Sequence, residues 1–143
     1  MKTNKLTIED QFLTIDQAKE LQDLGINFNN VNNYIAFDRT IVNKENVDFV
    51  VSKCEMMGVA APRFIAALSV AEMLEMLPKC IEVKDVLCEL YLKKSSFYVG
   101  DMTYELGYRG YLNESLSIKG FTYPLLRDAL FEMLKWLEQN KMI

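Results

Sequence analysis

The sequence predicts an α+β fold: a single domain in which an antiparallel β-meander packs against a C-terminal helix and shorter helices. Two observations carry that expectation. Leu126, Ala129, Leu130, Met133, Leu134 and Leu137 recur at helical spacing and form one broad apolar stripe, which needs a surface to pack on. Residues 80–93 alternate apolar and polar with the period of two that a half-buried strand requires. A helix stripe laid on one face of such a sheet is a two-layer sandwich.

The elements follow in chain order. Residues 1–12 are polar and read as a loose leader or a short edge element. Thr14 opens a helix, with Gln17 three residues on as the reciprocal capping partner. Ile15, Ala18 and Leu21 give that helix its apolar face, and Gly25 ends it. The Asn-rich run 27–33 is a loop, followed by a short strand at Tyr34–Phe37. Val47, Val50, Val51, Cys54 and Met57 fall at helical spacing between Asn46 as a cap and Gly58 as a stop, although Phe49-Val50-Val51 is also strand-like. The helical spacing predicts a helix over 46–58.

Residues 62–67 read as an apolar strand. Ser69 and Glu72 form a second capping box ahead of Val70, Met73, Leu74 and Leu77, and Pro78 closes that helix because it lacks an N–H. A loop at Lys84-Asp85 then pairs Ile81 with Cys88 and Val83 with Val86. One face of this meander carries Ile81, Val83, Val86, Cys88, Leu90 and Leu92. The other carries Cys80, Glu82, Leu87, Glu89, Tyr91 and Lys93. A second hairpin is expected about Gly100-Asp101, with Val99 opposite Met102 and Phe97 opposite Tyr104. Gly107, Gly110 and Gly120 are expected to break the chain into looser structure. Pro124 suits the first turn of the last helix, which runs to about Gln139.

Charge and residue inventory narrow the chemistry. The 143 residues carry a net charge of −4, and each half of the chain is near −2. No basic stripe of the kind that neutralises phosphates is present, and the densest basic spot is Lys93-Lys94. The chain has no histidine, which removes the commonest acid–base group and metal ligand and makes Ser-His-Asp or Cys-His systems impossible. Cys54, Cys80 and Cys88 form no Cys-x-x-Cys pair, and the meander puts Cys80 and Cys88 on opposite faces. No phosphate-binding glycine motif occurs. No catalytic, cofactor or metal site is therefore expected, and no cofactor. No apolar run reaches the roughly 20 residues of a membrane helix, and a cytoplasmic protein with reduced thiols is expected.

Three places stand out as partner-binding candidates. Tyr108, Arg109 and Tyr111 combine aromatics with an arginine, the make-up of interface anchors and also of base-stacking platforms. Tyrosine is equally an ordinary strand residue. Phe131 lies about 140° round the last helix from Leu126, beside Arg127, Lys135 and Glu138, and is expected off the apolar stripe. It is then a lone surface apolar residue, a partner site, or covered by the N-terminal region. The eight methionines, Met56, Met57, Met73, Met76 and Met133 among them, fill core gaps or form an adaptable surface.

Residues 13–25, 68–78 (Leu68 through Leu77-Pro78) and 126–140 together resemble a group of small uncharacterised proteins of gut bacteria, their prophages and phages. The similarity covers about half of the chain, in patches of core and capping residues, and leaves out 42–57. It implies a mobile-element setting and brings no activity or functional residues with it. The function expected is that of a non-enzymatic accessory protein that binds a protein partner or its own copy. The alternative is a nucleic-acid accessory protein using Tyr108, Arg109, Tyr111 and the Lys93-Lys94 spot.

Overall fold

The computed structural model describes residues 9–26, 31–36, 41–98, 101–112 and 117–143. A 3-10 turn at Glu9–Gln11 leads into α1 (Ile15–Asp23), β1 (Asn33–Ala36), β2 (Ile41–Asn43), α2 (Lys44–Met57) and β3 (Phe64–Ala67). Then come α3 (Val70–Met76), β4 (Cys80–Val83), β5 (Val86–Tyr98), β6 (Asp101–Gly110), β7 (Ser117–Tyr123) and α4 (Leu126–Gln139). The α+β class is as expected, with the meander packed by the C-terminal helix. Of the loose leader, residues 1–8 lie outside the described residues, while Phe12 forms an antiparallel bridge with Ser69.

Both capping boxes are present. The Thr14 hydroxyl accepts the Gln17 N–H at 3.1 Å while the Gln17 side chain accepts the Thr14 N–H at 3.0 Å. Ser69 and Glu72 repeat the exchange at 3.1 Å each way. Each satisfies amides that a helix start leaves without partners, and loss of such a cap costs about 1 kcal/mol.

Residues 46–58 are helical, but the cap is Asn43 rather than Asn46. The Asn43 side chain accepts the Asn46 N–H at 2.9 Å, so the helix begins three residues earlier. It ends as expected at Gly58, whose φ of 68° is left-handed. This helix packs on a second sheet, three antiparallel strands in the order β2-β1-β3; the strands expected at Tyr34–Phe37 and 62–67 are present as β1 and β3, whereas β2 and the pairing of the three were not expected. A strand of three residues such as β2 is too short to display an alternation. Val47 is the buried residue of α2, whereas Phe49, Met56 and Met57 of the same helix are exposed.

The four-stranded sheet runs β4-β5-β6-β7, antiparallel throughout. Ile81 faces Cys88 and Val83 faces Val86, the expected register. Lys84 and Asp85 both adopt positive φ, the signature of a tight hairpin turn whose twist matches its strands. The second hairpin differs from expectation. Met102 pairs with Ser96 and Tyr104 with Lys94, and the register shifts between Ser96 and Tyr98. Val99 and Gly100 lie outside the described residues. An irregularity near a hairpin end changes the count of residues between the strands, which no two-residue turn signal reveals.

The glycines also behave differently from expectation. Gly107 and Gly110 lie inside β6 and Gly120 inside β7, so the chain continues as strand. Gly107 pairs with Gly120, and the Tyr91 ring lies over them. A Cβ at Gly107 would sit 2.5 Å from the Lys119 carbonyl oxygen and 2.7 Å from the Tyr91 hydroxyl. The missing side chain makes room for a neighbouring aromatic rather than ending a strand.

Helix α4 packs on β6 and β7 and against α3 and α1. Its first residue is Leu126, so Pro124 precedes the helix instead of forming its first turn. Ala129, Leu130, Met133, Leu134 and Leu137 are fully buried with Leu13, Ala18, Leu21, Met73, Cys88, Leu106 and Tyr108. Gly107→Ala is expected to destabilise the protein by about 1–3 kcal/mol, read as a lower urea midpoint at unchanged slope. Gly120→Ala, where the nearest atom is the Tyr91 hydroxyl at 3.2 Å, should cost clearly less.

Candidate functional site

Strand parity decides which side chains of the sheet a partner can reach. Because β6 runs unbroken through Gly110, Tyr108 and Arg109 point to opposite faces. Tyr108 turns inward. It is completely buried, and its hydroxyl donates to the Pro78 carbonyl oxygen at 2.7 Å. Burial, with a smaller contribution from the charge of Cys80, pushes its phenol up to about 12. Tyr108 is thus a core residue that ties β6 to the end of α3, and the expectation that it meets a partner is corrected. Strand through two glycines was not foreseen, so neither was the alternation.

Phe131 needs a similar correction. It is only 6% exposed. On either side of it along α4, Asp128 accepts a hydrogen bond from Gln17 Nε2 at 2.7 Å and Lys135 reaches Glu20 at 3.1 Å. The Lys135 ammonium also lies 5.2 Å from the Phe131 ring centre. Polar anchors to α1 flank the phenylalanine, so this side of α4 is an interface with the N-terminal helix. Of the three readings of Phe131, cover by the N-terminal region is the one the structure bears. The Lys135 ammonium is raised above its ordinary range, first by the hydrogen bond to Glu20.

Arg109 and Tyr111 turn outward, away from the face that α4 covers. Arg109 sits opposite Glu89 across the β5–β6 pair, with Nε 3.8 Å from Glu89 Oε1. Its guanidinium carbon is 5.0 Å from the Tyr91 ring centre. The Tyr91 hydroxyl in turn donates to Glu105 at 2.9 Å. Arg109 Nε is buried and has no hydrogen-bond partner among the described residues, since 3.8 Å is too long for one. Beyond this cluster the Tyr111 amide donates to the Leu87 carbonyl at 2.9 Å, which sets the two residues side by side. Both side chains are half exposed, Leu87 at 50% and Tyr111 at 54%. Leu112 follows at 95%.

The outer sheet face therefore presents a row of Leu87, Tyr111, Arg109 and Tyr91. Of these, Arg109 and Tyr111 were singled out from the sequence. Leu87 and Tyr91 were placed on the polar face of the meander without being joined to them. The signal available was charge pairing: once Glu89 is set opposite Arg109, the register follows and gathers the rest.

The two lysines of the Lys93-Lys94 spot separate onto opposite faces of β5. Lys94 lies 5.6 Å from the Tyr104 ring centre, on the side that continues the core face. The methionines divide too. Met73 and Met133 are buried, whereas Met56 and Met57 are exposed.

Among the described residues no group of three or more His, Cys, Asp or Glu side chains is arranged to hold a metal ion. No described helix is long and apolar enough to cross a membrane. Comparison with family models, with curated proteins and with solved structures finds no match for the chain.

Tyr108 supplies a pH signature. Its folded-state value, about 12, lies above the ordinary 10.0. The stability that its protonated form contributes is then fully present below pH 10 and is lost as pH rises through 12. Tyr108→Phe, which leaves the Pro78 carbonyl without its donor, should cost about 1–3 kcal/mol at neutral pH. Denaturant unfolding from pH 8 upward should show the difference between the two proteins shrinking across the window from 10 to 12.

Proposed function

We propose that this protein is a non-enzymatic interaction protein, and that the outer face of its four-stranded sheet binds a protein partner or a second copy. The observation that carries this reading is the adjacency of half-exposed Leu87 and Tyr111, continued by the Arg109–Tyr91 stack. Aromatic and arginine side chains around an aliphatic centre are the composition of energetically dominant interface residues. With the resemblance noted in the sequence, the setting we propose is a phage or an integrated element.

Charge favours protein over nucleic acid as the partner. The outer face carries Glu82, Glu89 and Glu105 against Lys93 and Arg109. Arg109 is already paired with Glu89, so the face offers phosphates little net attraction.

Leu87→Asp and Tyr111→Ala are expected to abolish self-association in sedimentation, or binding of a partner encoded beside the gene. Thermal stability should change little, because both side chains are half exposed. Unchanged association in both assays would overturn the assignment of this face. Binding to single-stranded DNA or RNA that weakens steeply with salt would favour the nucleic-acid reading instead.

A further inference from the structure

Among the described residues, the longest strand, β5, is only partly covered on one side. β4 pairs with β5 over Val86 to Glu89, and the Leu90 N–H donates to the Lys79 carbonyl at 2.9 Å. Strand β5 then continues to Tyr98, paired on its other side with β6. In an antiparallel sheet every second residue directs its N–H and C=O to a given side. Since Leu90 directs its amide toward β4, Leu92, Lys94 and Ser96 direct theirs the same way, beyond the point where β4 has ended. No strand lies beside them among the described residues. An edge of this kind is a template for strand addition.

The side chains along this edge say what it accepts. Leu92, Lys93 and Lys94 are all exposed, Leu92 at 48%. Lys93 stands on the outer face and Lys94 on the core-side face beside Tyr104. Neither lysine forms an ion pair among the described residues. An added strand also alternates its side chains between faces, so one acidic residue cannot meet both lysines. Two consecutive acidic residues can, and the residue next to them falls opposite Leu92.

We infer that the open edge of β5 from Leu92 to Ser96 binds an extended segment of another protein containing an apolar residue followed or preceded by two consecutive acidic residues. A second copy of this chain fits the edge less well. Two-fold antiparallel pairing centred on either lysine sets that lysine directly against its own counterpart, and opposed like charges destabilise a strand pair. The inference uses the edge of the sheet, whereas the proposed function uses its outer face, and the two stand or fall separately.

The test titrates the full chain, isotopically labelled, with the blocked peptide Thr-Val-Glu-Glu-Val-Thr and with its Thr-Val-Lys-Lys-Val-Thr counterpart. The acidic peptide should bind saturably and slow amide exchange at Leu92 and Lys94 by about tenfold or more, as a newly formed ladder does. Lys93→Glu/Lys94→Glu should weaken it about tenfold or more and transfer the preference to the basic peptide. Leu87→Asp should leave both results unchanged, which separates failure here from failure of the outer-face reading. Equal binding of the two peptides, or no protection at these amides at millimolar peptide, overturns the inference. So does a Lys93→Thr/Lys94→Thr variant that dimerises through β5 while the original protein ignores the acidic peptide. The lysines would then serve only to keep the edge unpaired.

Discussion

The last helix is buried on two sides at once, and this constraint organises the molecule. Ala129, Leu130, Met133, Leu134 and Leu137 are buried in the core that α4 shares with the four-stranded sheet, while Phe131 lies on the side of α1 between two polar anchors, Asp128 and Lys135. A single stripe would have left the α4-facing side of α1 without a partner, although α1 also packs on β3. The helix instead joins elements from the two ends of the described chain, and α3 closes against it from a third direction. Each fully buried side chain of this size is worth about 1.5–3 kcal/mol of transfer free energy. Losses along α4 would be felt by the four-stranded sheet, α3 and α1 together, since all of them pack on the same helix.

The sheet adds a second constraint, expressed through space rather than apolar area. Tyr91 lies across paired glycines on the outer face, and Tyr108 fills the inner face of the neighbouring strand. Glycine on one strand and tyrosine on the next are complementary, one supplying volume where the other leaves it out. The Tyr91 hydroxyl reaches Glu105 and its ring supports Arg109. The exposed row is therefore held from beneath by side chains that have little freedom to reorient, and a surface of that kind loses little entropy on binding.

Local rules made much of this legible in the sequence. Thr14, Ser69 and Gly58 mark helix boundaries because capping chemistry acts over three or four residues, and the β4–β5 register follows from a short alternating stretch. What escaped depends on distant partners. Nothing near Gly107 says that a tyrosine sixteen positions earlier needs its space, so the glycine reads as a break. Nothing on α4 says that α1 will arrive at the Phe131 side, so Phe131 reads as exposed. Strands β1 and β3 could be read as short apolar runs, but β2 is too brief to show a period and the pairing of the three is tertiary. The outer face was half legible for the same reason. Arg109 and Tyr111 attract notice by composition, whereas Leu87 and Tyr91 join them only through pairing.

The contacts between α1 and α4 also bear on the order in which the protein can form during synthesis. Lys135 and Glu20 are separated by 115 positions, as are Arg127 and the Phe12 carbonyl it reaches at 3.4 Å. Until residues 126–139 have left the ribosome, the inner sheet face lacks the helix that covers it, and α1 has only its contact with β3. Local hairpins and capped helices can form early, but their buried surfaces cannot be closed one at a time. A nascent chain thus keeps the inner face of its four-stranded sheet open until residues 126–139 emerge to cover it.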